Sequence, residues 1–208
     1  MMKMKRTFFA AATIAFAAWG TVALSGCSRS EQSSATNPVD SIETAAVKPD
    51  TYLDAINHYL VDEIGKNYAP GELSIPSVAV VHVQEENPDS IKVWGDYWVF
   101  QYNISGDTLK TVSGGSHPGM MLLRLTDEGY EVTGFEQAED GSRYLPSAKA
   151  IFGKHYDAFH AINSDEKKRD EIRAEQIAEY VKKHHLPVTM YQDFGWDAIA
   201  IPATSTSR

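Results

Sequence analysis

Asp96 lies between Trp94 and Trp98 on a run of alternating residues, and an acid placed there has chemistry open to it. A carboxylate enclosed by indole rings loses hydration, its pKa rises, and it can act as a base near neutral pH. His82, on the preceding β-branched run, is the group that could share such a pocket. Gly95 argues the other way. A glycine inside a strand marks a bulge or bend, and a bulge here would turn Asp96 out to solvent. The local sequence favours that reading. His82, with Val78 and Val80 on its face, reads as a satisfied core histidine, and the two tryptophans read as core rather than as a ligand platform.

Other candidate constellations fail on geometry. Gly114-Gly115-Ser116-His117-Pro118 resembles a nucleophile elbow until the position two after the serine, where Pro118 replaces the required glycine. Adjacent side chains on an extended chain point apart, so His117 is not placed to activate Ser116. The segment reads as a turn-rich hairpin connection. Among the seven histidines, His155 and His160 are five apart, which does not put both on one helix face. His184 and His185 sit at a helix C-terminus, where an imidazolium complements the dipole. The chain contains no zinc-protease H-E-x-x-H, phosphate-binding loop or dinucleotide fingerprint. No metal, cofactor or catalytic residue is therefore assigned, and Asp96 and His82 stand as the only weak catalytic candidates.

One residue does carry a specific signal. Lys3, Lys5 and Arg6 precede an apolar run, Thr7 to Leu24, that closes on Leu24-Ser25-Gly26-Cys27, and Cys27 is the chain's single cysteine. A short basic stretch followed by an apolar core is the physical form of a secretory signal. The closing tetrapeptide resembles the lipobox of bacterial lipoproteins. That resemblance implies a cysteine thiol that is diacylated and a leader, residues 1–26, that is removed. Loss of the leader takes three cations with it and moves the formal charge from −9 to −12. Several acyl chains anchor durably, since each buried methylene contributes about 0.8 kcal/mol. Ser28, rather than Asp, after the cysteine resembles lipoproteins sent to the outer membrane, facing the periplasm, in a two-membrane organism. The expected location is the cell envelope, with the membrane as a partner through the lipid.

The rest of the chain must hold a folded body off that anchor. Residues 27–49 are rich in Ser, Thr, Ala and Glu without apolar period and read as a flexible tether. Residues 50–202 read as a single domain, and 203–208 as a loose tail. Tyr52, Ile56, Tyr59, Leu60 and Ile64 recur at helical spacing behind a cap at Asp50 or Thr51. Five alternating runs follow between residues 77 and 138: a meander of about five antiparallel strands. On the second, Trp94, Trp98, Phe100, Tyr102 and Ile104 share one face, and Ile91, Val93, Tyr97 and Val99 the other. Helical spacing returns from Ser147, and again from Ser164 or Asp165 until Pro187 stops it. The charges of that last helix read as a solvated face. The apolar residues of 187–202 should dock.

A helix, an antiparallel meander and C-terminal helices make an α+β plan. The order resembles the cystatin-like and NTF2-like folds, which enzymes and binding modules share. An acidic chain without a basic stripe is no nucleic-acid binder. The expectation is a membrane-anchored, non-catalytic domain that binds a small ligand or an envelope protein; the alternative is an NTF2-like enzyme using a pocket carboxylate.

Overall fold

The computed structural model describes residues 51–204, all of which belong to one compact unit. The expected leader, Cys27, the expected tether and the last four residues lie outside the described residues. The fold is α+β: a mixed seven-stranded sheet with helices packed on it.

Thr51 caps the first helix, α1 (Tyr52–Tyr59), by accepting from the Asp54 amide through its hydroxyl. The chain then loosens into a wider turn, Leu60–Ile64, and a tight one, Gly65–Asn67. Next come β1 (Leu73–Gln84), β2 (Ile91–Ser105), β3 (Thr108–Ser116), β4 (Gly119–Thr126) and β5 (Gly129–Gln137). The helical half consists of α2 (Tyr144–Phe152), α3 (Tyr156–Asn163) and α4 (Glu166–Lys183). Gly153, at φ +50°, separates α2 from α3. Two short strands close the chain, β6 (Met190–Gln192) and β7 (Ile199–Ala200).

The strands do not form a simple meander. β2 is long enough to serve two neighbours along one edge. Its first part, Ile91–Gly95, pairs with β4, and its second, Trp98–Ser105, pairs with β3, while β1 takes the other edge. β3 and β4 therefore follow each other along β2 instead of pairing, and Gly114–Pro118 is not a hairpin connection. The ladder runs through it: His117 N–H donates to Tyr97 C=O at 2.6 Å. Gly114 is needed there because a Cβ would lie 2.6 Å from the Val99 carbonyl oxygen. The C-terminal segment docks, as its composition predicts, but as strands: β6 pairs with β3 in parallel and β7 with β6 antiparallel.

The two faces of β2 divide its side chains as the alternation predicts. Ile91, Val93 and Tyr97 join Val78, Met121 and Leu123 under α1. Trp94, Phe100 and Tyr102 pack under the C-terminal helices and β6. Two expectations about polar residues fail. The bulge lies on β1, not on β2: register shifts between Val80 and His82, opposite Gly95 and Trp94, while Ile91–Gly95 keep an even register with β4. Gly95 is there because the Tyr97 ring covers it; a Cβ would come within 2.7 Å of that ring. Asp96 therefore stays on the aromatic face and is fully buried. The β1 bulge also separates His82 from Val78 and Val80 and puts it beside Trp94, half-exposed rather than in the core.

Candidate functional site

α4 crosses the aromatic face of the sheet, and two of its side chains fix where. Asp165 caps it, accepting from the Lys168 amide at 3.1 Å. Gln176 hydrogen-bonds both the N–H and the C=O of Val78, each at 2.8 Å, so its amide stands in for a neighbouring strand on the edge of β1. Arg173, expected on a solvated face, is buried. Its Nε donates to the Tyr102 hydroxyl at 2.9 Å, its two terminal nitrogens donate to Asp193 at 2.8 Å each, and one also donates to Thr111. Its guanidinium lies 3.8 Å from the Phe100 ring centre. A planar, delocalised cation suits this site because it can stack and fork at once. The pairing raises the pKa of Arg173 against the opposing effect of burial. Hydrogen bonding from Arg173 holds the Asp193 carboxyl below the usual range. Burial pushes the Tyr102 hydroxyl up to about 12, with Arg173 opposing it.

Between this lock and the end of α3 lies a cavity of about 220 Å³. Ser77, Ala79, Trp98 and Phe100 wall it from the sheet; Glu166, Arg169 and Asp170 wall it from α4. Asp96 is its floor. One carboxylate oxygen accepts from the Ser116 hydroxyl at 2.9 Å and the other from the Asn163 side-chain amide at 3.1 Å. Asn163 is held in turn by Tyr144, whose hydroxyl donates to it at 3.4 Å, and by Arg169, which donates to its backbone carbonyl. Burial, with the nearby Asp96 charge, raises the Tyr144 pKa, so this hydroxyl remains a donor at neutral pH. Asp170, at the rim, is also raised by partial burial, with Arg173 and Arg169 opposing.

The two candidates read from the sequence are not brought together. Asp96 lines the cavity; His82 does not, and instead stacks on His155 with ring centres 3.9 Å apart, next to Trp94. Ser116 and His117 part as adjacent strand residues must. Ser116 turns to Asp96, while the two ring nitrogens of His117 bond the Tyr68 hydroxyl (2.8 Å) and the Gln137 side chain (3.1 Å). Sequence reasoning missed Ser116 and Asn163 as the partners of Asp96, and Arg169 and Arg173 as cavity residues. No local pattern marks Asn163 or Arg173, because their partners are 67 and 71 residues away. Among the described residues, no three His, Cys, Asp or Glu side chains form a metal-binding group, and no helix is long and apolar enough to cross a membrane.

Chemically, the arrangement fixes the Asp96 side chain between two hydrogen-bond donors and offers an aromatic wall with mixed charge at the mouth. The hydroxyl within reach of the carboxylate is that of Ser116, and the ring nitrogens of the neighbouring His117 are bonded elsewhere. Compared with known proteins, the chain matches no family model, no curated protein and no solved structure.

Proposed function

We propose that this protein is a non-catalytic small-ligand-binding domain, held at a bacterial envelope by lipid on Cys27, and that the cavity between α4 and the aromatic face is its ligand site. The observation that carries the reading is the state of Asp96. Asp96 lines the cavity but is itself fully buried, and both its oxygens already accept hydrogen bonds, from Ser116 and Asn163. A general base needs its proton acceptor turned toward the substrate and an environment that tunes it. Here the acceptor is buried and committed to fixed donors, which suits holding the wall of a binding site in shape. At about 220 Å³ the site has room for roughly seven waters at liquid density, or one small metabolite. Trp98 and Phe100 supply an apolar wall, and Glu166, Arg169 and Asp170 supply polar contacts at the mouth.

The test is a ligand-observed NMR screen of small polar metabolites against the full chain, repeated on Trp98→Ala and Asp96→Asn. Binding of one chemical class, lost in Trp98→Ala while the variant remains folded, supports the reading. Turnover of a bound molecule that disappears in Asp96→Asn would establish the competing NTF2-like enzyme instead. Binding unaffected by Trp98→Ala would remove the cavity from consideration. The anchor is tested separately: Cys27→Ser should release a soluble form or leave an unprocessed precursor, and unchanged mass with unchanged detergent partitioning would refute the anchor.

A further inference from the structure

β6 and β7 form a hairpin whose turn, Asp193 to Ala198, carries two aromatic side chains into solvent: Phe194 is 97% exposed and Trp196 73%. Ile199, on β7, is 47% exposed beside them. Apolar residues scattered singly on a surface need no explanation, but a cluster of this kind marks an interaction site. The turn is also held. Trp196 N–H donates to the Asp193 carbonyl at 3.2 Å, and the Gln192 side chain donates to the Trp196 carbonyl at 2.7 Å. Gly195 takes the left-handed conformation, φ +82°, that the turn requires. Asp193 is clamped to Arg173 by two hydrogen bonds. Two large side chains displayed on a fixed turn lose little freedom on binding, which is the condition for an interface hot spot.

The surroundings state the chemistry of the occupant. An open groove between the hairpin and the first turns of α4 is bordered by Glu166, Asp170 and Glu171, with Tyr191 and Ile199 as its apolar lining. Lys167 is the one cation lining the groove and pairs with Glu171 at 3.6 Å, while Arg169 and Arg173 act on Asp170 from the cavity side. Asp197 adds another acid to the turn itself. This field attracts Lys and Arg and repels both an anionic lipid surface and a second copy of a chain of charge −9. The chain enters the described domain at Thr51, on the helix packed over β5, and β5 and β7 are opposite ends of the strand order.

We infer that Phe194, Trp196 and the acidic groove beside them are a docking surface for a basic, apolar segment of another polypeptide. The aromatic pair supplies the buried anchors and the acids select the charge. The aromatic pair lies outside the cavity, although Glu166 and Asp170 border both the cavity and the groove.

The experiment is a selection of random displayed peptides on the full chain, in parallel with selection on a Phe194→Ser/Trp196→Ser double variant. Both positions are exposed, so the variant should keep its fold, which circular dichroism checks. The expected result is enrichment of peptides that combine Lys or Arg with aromatic or aliphatic residues, absent from the double variant. A resynthesised winner should bind the double variant about tenfold or more weakly, and bind the native chain less tightly as salt rises. Enrichment of neutral or acidic peptides, equal enrichment on the double variant, or no enrichment overturns the inference. So does a blue shift of tryptophan emission on adding phosphatidylcholine vesicles without peptide that is absent from the double variant, which assigns the surface to membrane. Self-association that the double variant abolishes overturns it in favour of a second copy.

Discussion

Arg173 and Asp193 face each other through two parallel hydrogen bonds of 2.8 Å, and this one pair joins the middle of α4 to the hairpin at the end of the chain. The two sides are unequal: the Arg173 side chain is 8% exposed and that of Asp193 40%. Asp193→Ala therefore leaves a buried guanidinium without its carboxylate partner and should cost about 3–5 kcal/mol. Arg173→Ala leaves a carboxylate that water can reach and should cost about 2–3 kcal/mol through the lost ring stack and the donors to Tyr102 and Thr111. Urea denaturation of the two variants checks the order; a larger loss in Arg173→Ala would place the stabilisation in the stack and not in the pair. The pair also sets an acid limit. The folded Asp193 pKa is depressed, so its contribution is present above the unfolded carboxylate pKa and is lost as pH falls through the folded value.

Gln176 should protect an edge. Its amide satisfies both backbone groups of Val78, and without it β1 presents an open N–H and C=O. Gln176→Ala should cost about 1–3 kcal/mol and accelerate hydrogen exchange at the Val78 amide. Gln176→Glu can accept from the N–H but has no donor for the carbonyl, so it should recover only part of the loss. Slow exchange at Val78 in both variants would show that another group covers the edge.

The stacked imidazoles should loosen in acid. Burial, then the His82 charge and Lys154, lower the His155 pKa below its ordinary value. In this window the unfolded chain takes up the proton first, so stability falls as pH drops below the unfolded histidine pKa and stops falling below the folded one. NMR titration of the His155 ring should give a midpoint below that of a free histidine. His155→Phe keeps the stack without the charge and should flatten stability between neutral and mildly acidic pH; an unchanged slope would assign the dependence to other groups.

His185 takes the place that glycine usually holds after a helix. Its φ is +51°, its N–H bonds the Lys182 carbonyl, and the Leu186 N–H bonds the Val181 carbonyl, the paired reversal that ends many helices. A side chain in the left-handed region costs about 1 kcal/mol. His185→Gly should therefore raise stability by up to about that amount, measured by thermal or urea unfolding, without altering binding at the cavity. A loss of stability would mean that the imidazole makes a compensating contact.

What could be read from the chain was local in origin. Thr51 and Asp165 cap helices because a short side-chain oxygen reaches an amide three residues on, an arrangement contained in four residues of sequence. The division of β2 into a Val93/Tyr97 face and a Trp94/Phe100 face follows from the period of an extended chain. Even so, the alternation left open whether Gly95 interrupts it, since a glycine can mean a bulge or a close approach. The Tyr97 ring decided that in favour of close approach, and with it the burial of Asp96. Pairing partners were beyond local reading. Nothing within Gly114–Gly119 says that β3 and β4 share one edge of β2, because that depends on the length of β2 and on β1 occupying its other edge. The bulge that moves His82 to Trp94 and His155 is likewise a property of how two strands register, not of either alone. The same holds for the site. Asp96 was visible as an acid among aromatics, but Ser116, Asn163 and Arg173 acquire their roles only when segments far apart in sequence are packed together. Side-chain hydrogen bonds of that range carry no periodicity, and the helix charges that hid Arg173 look alike until one of them is buried.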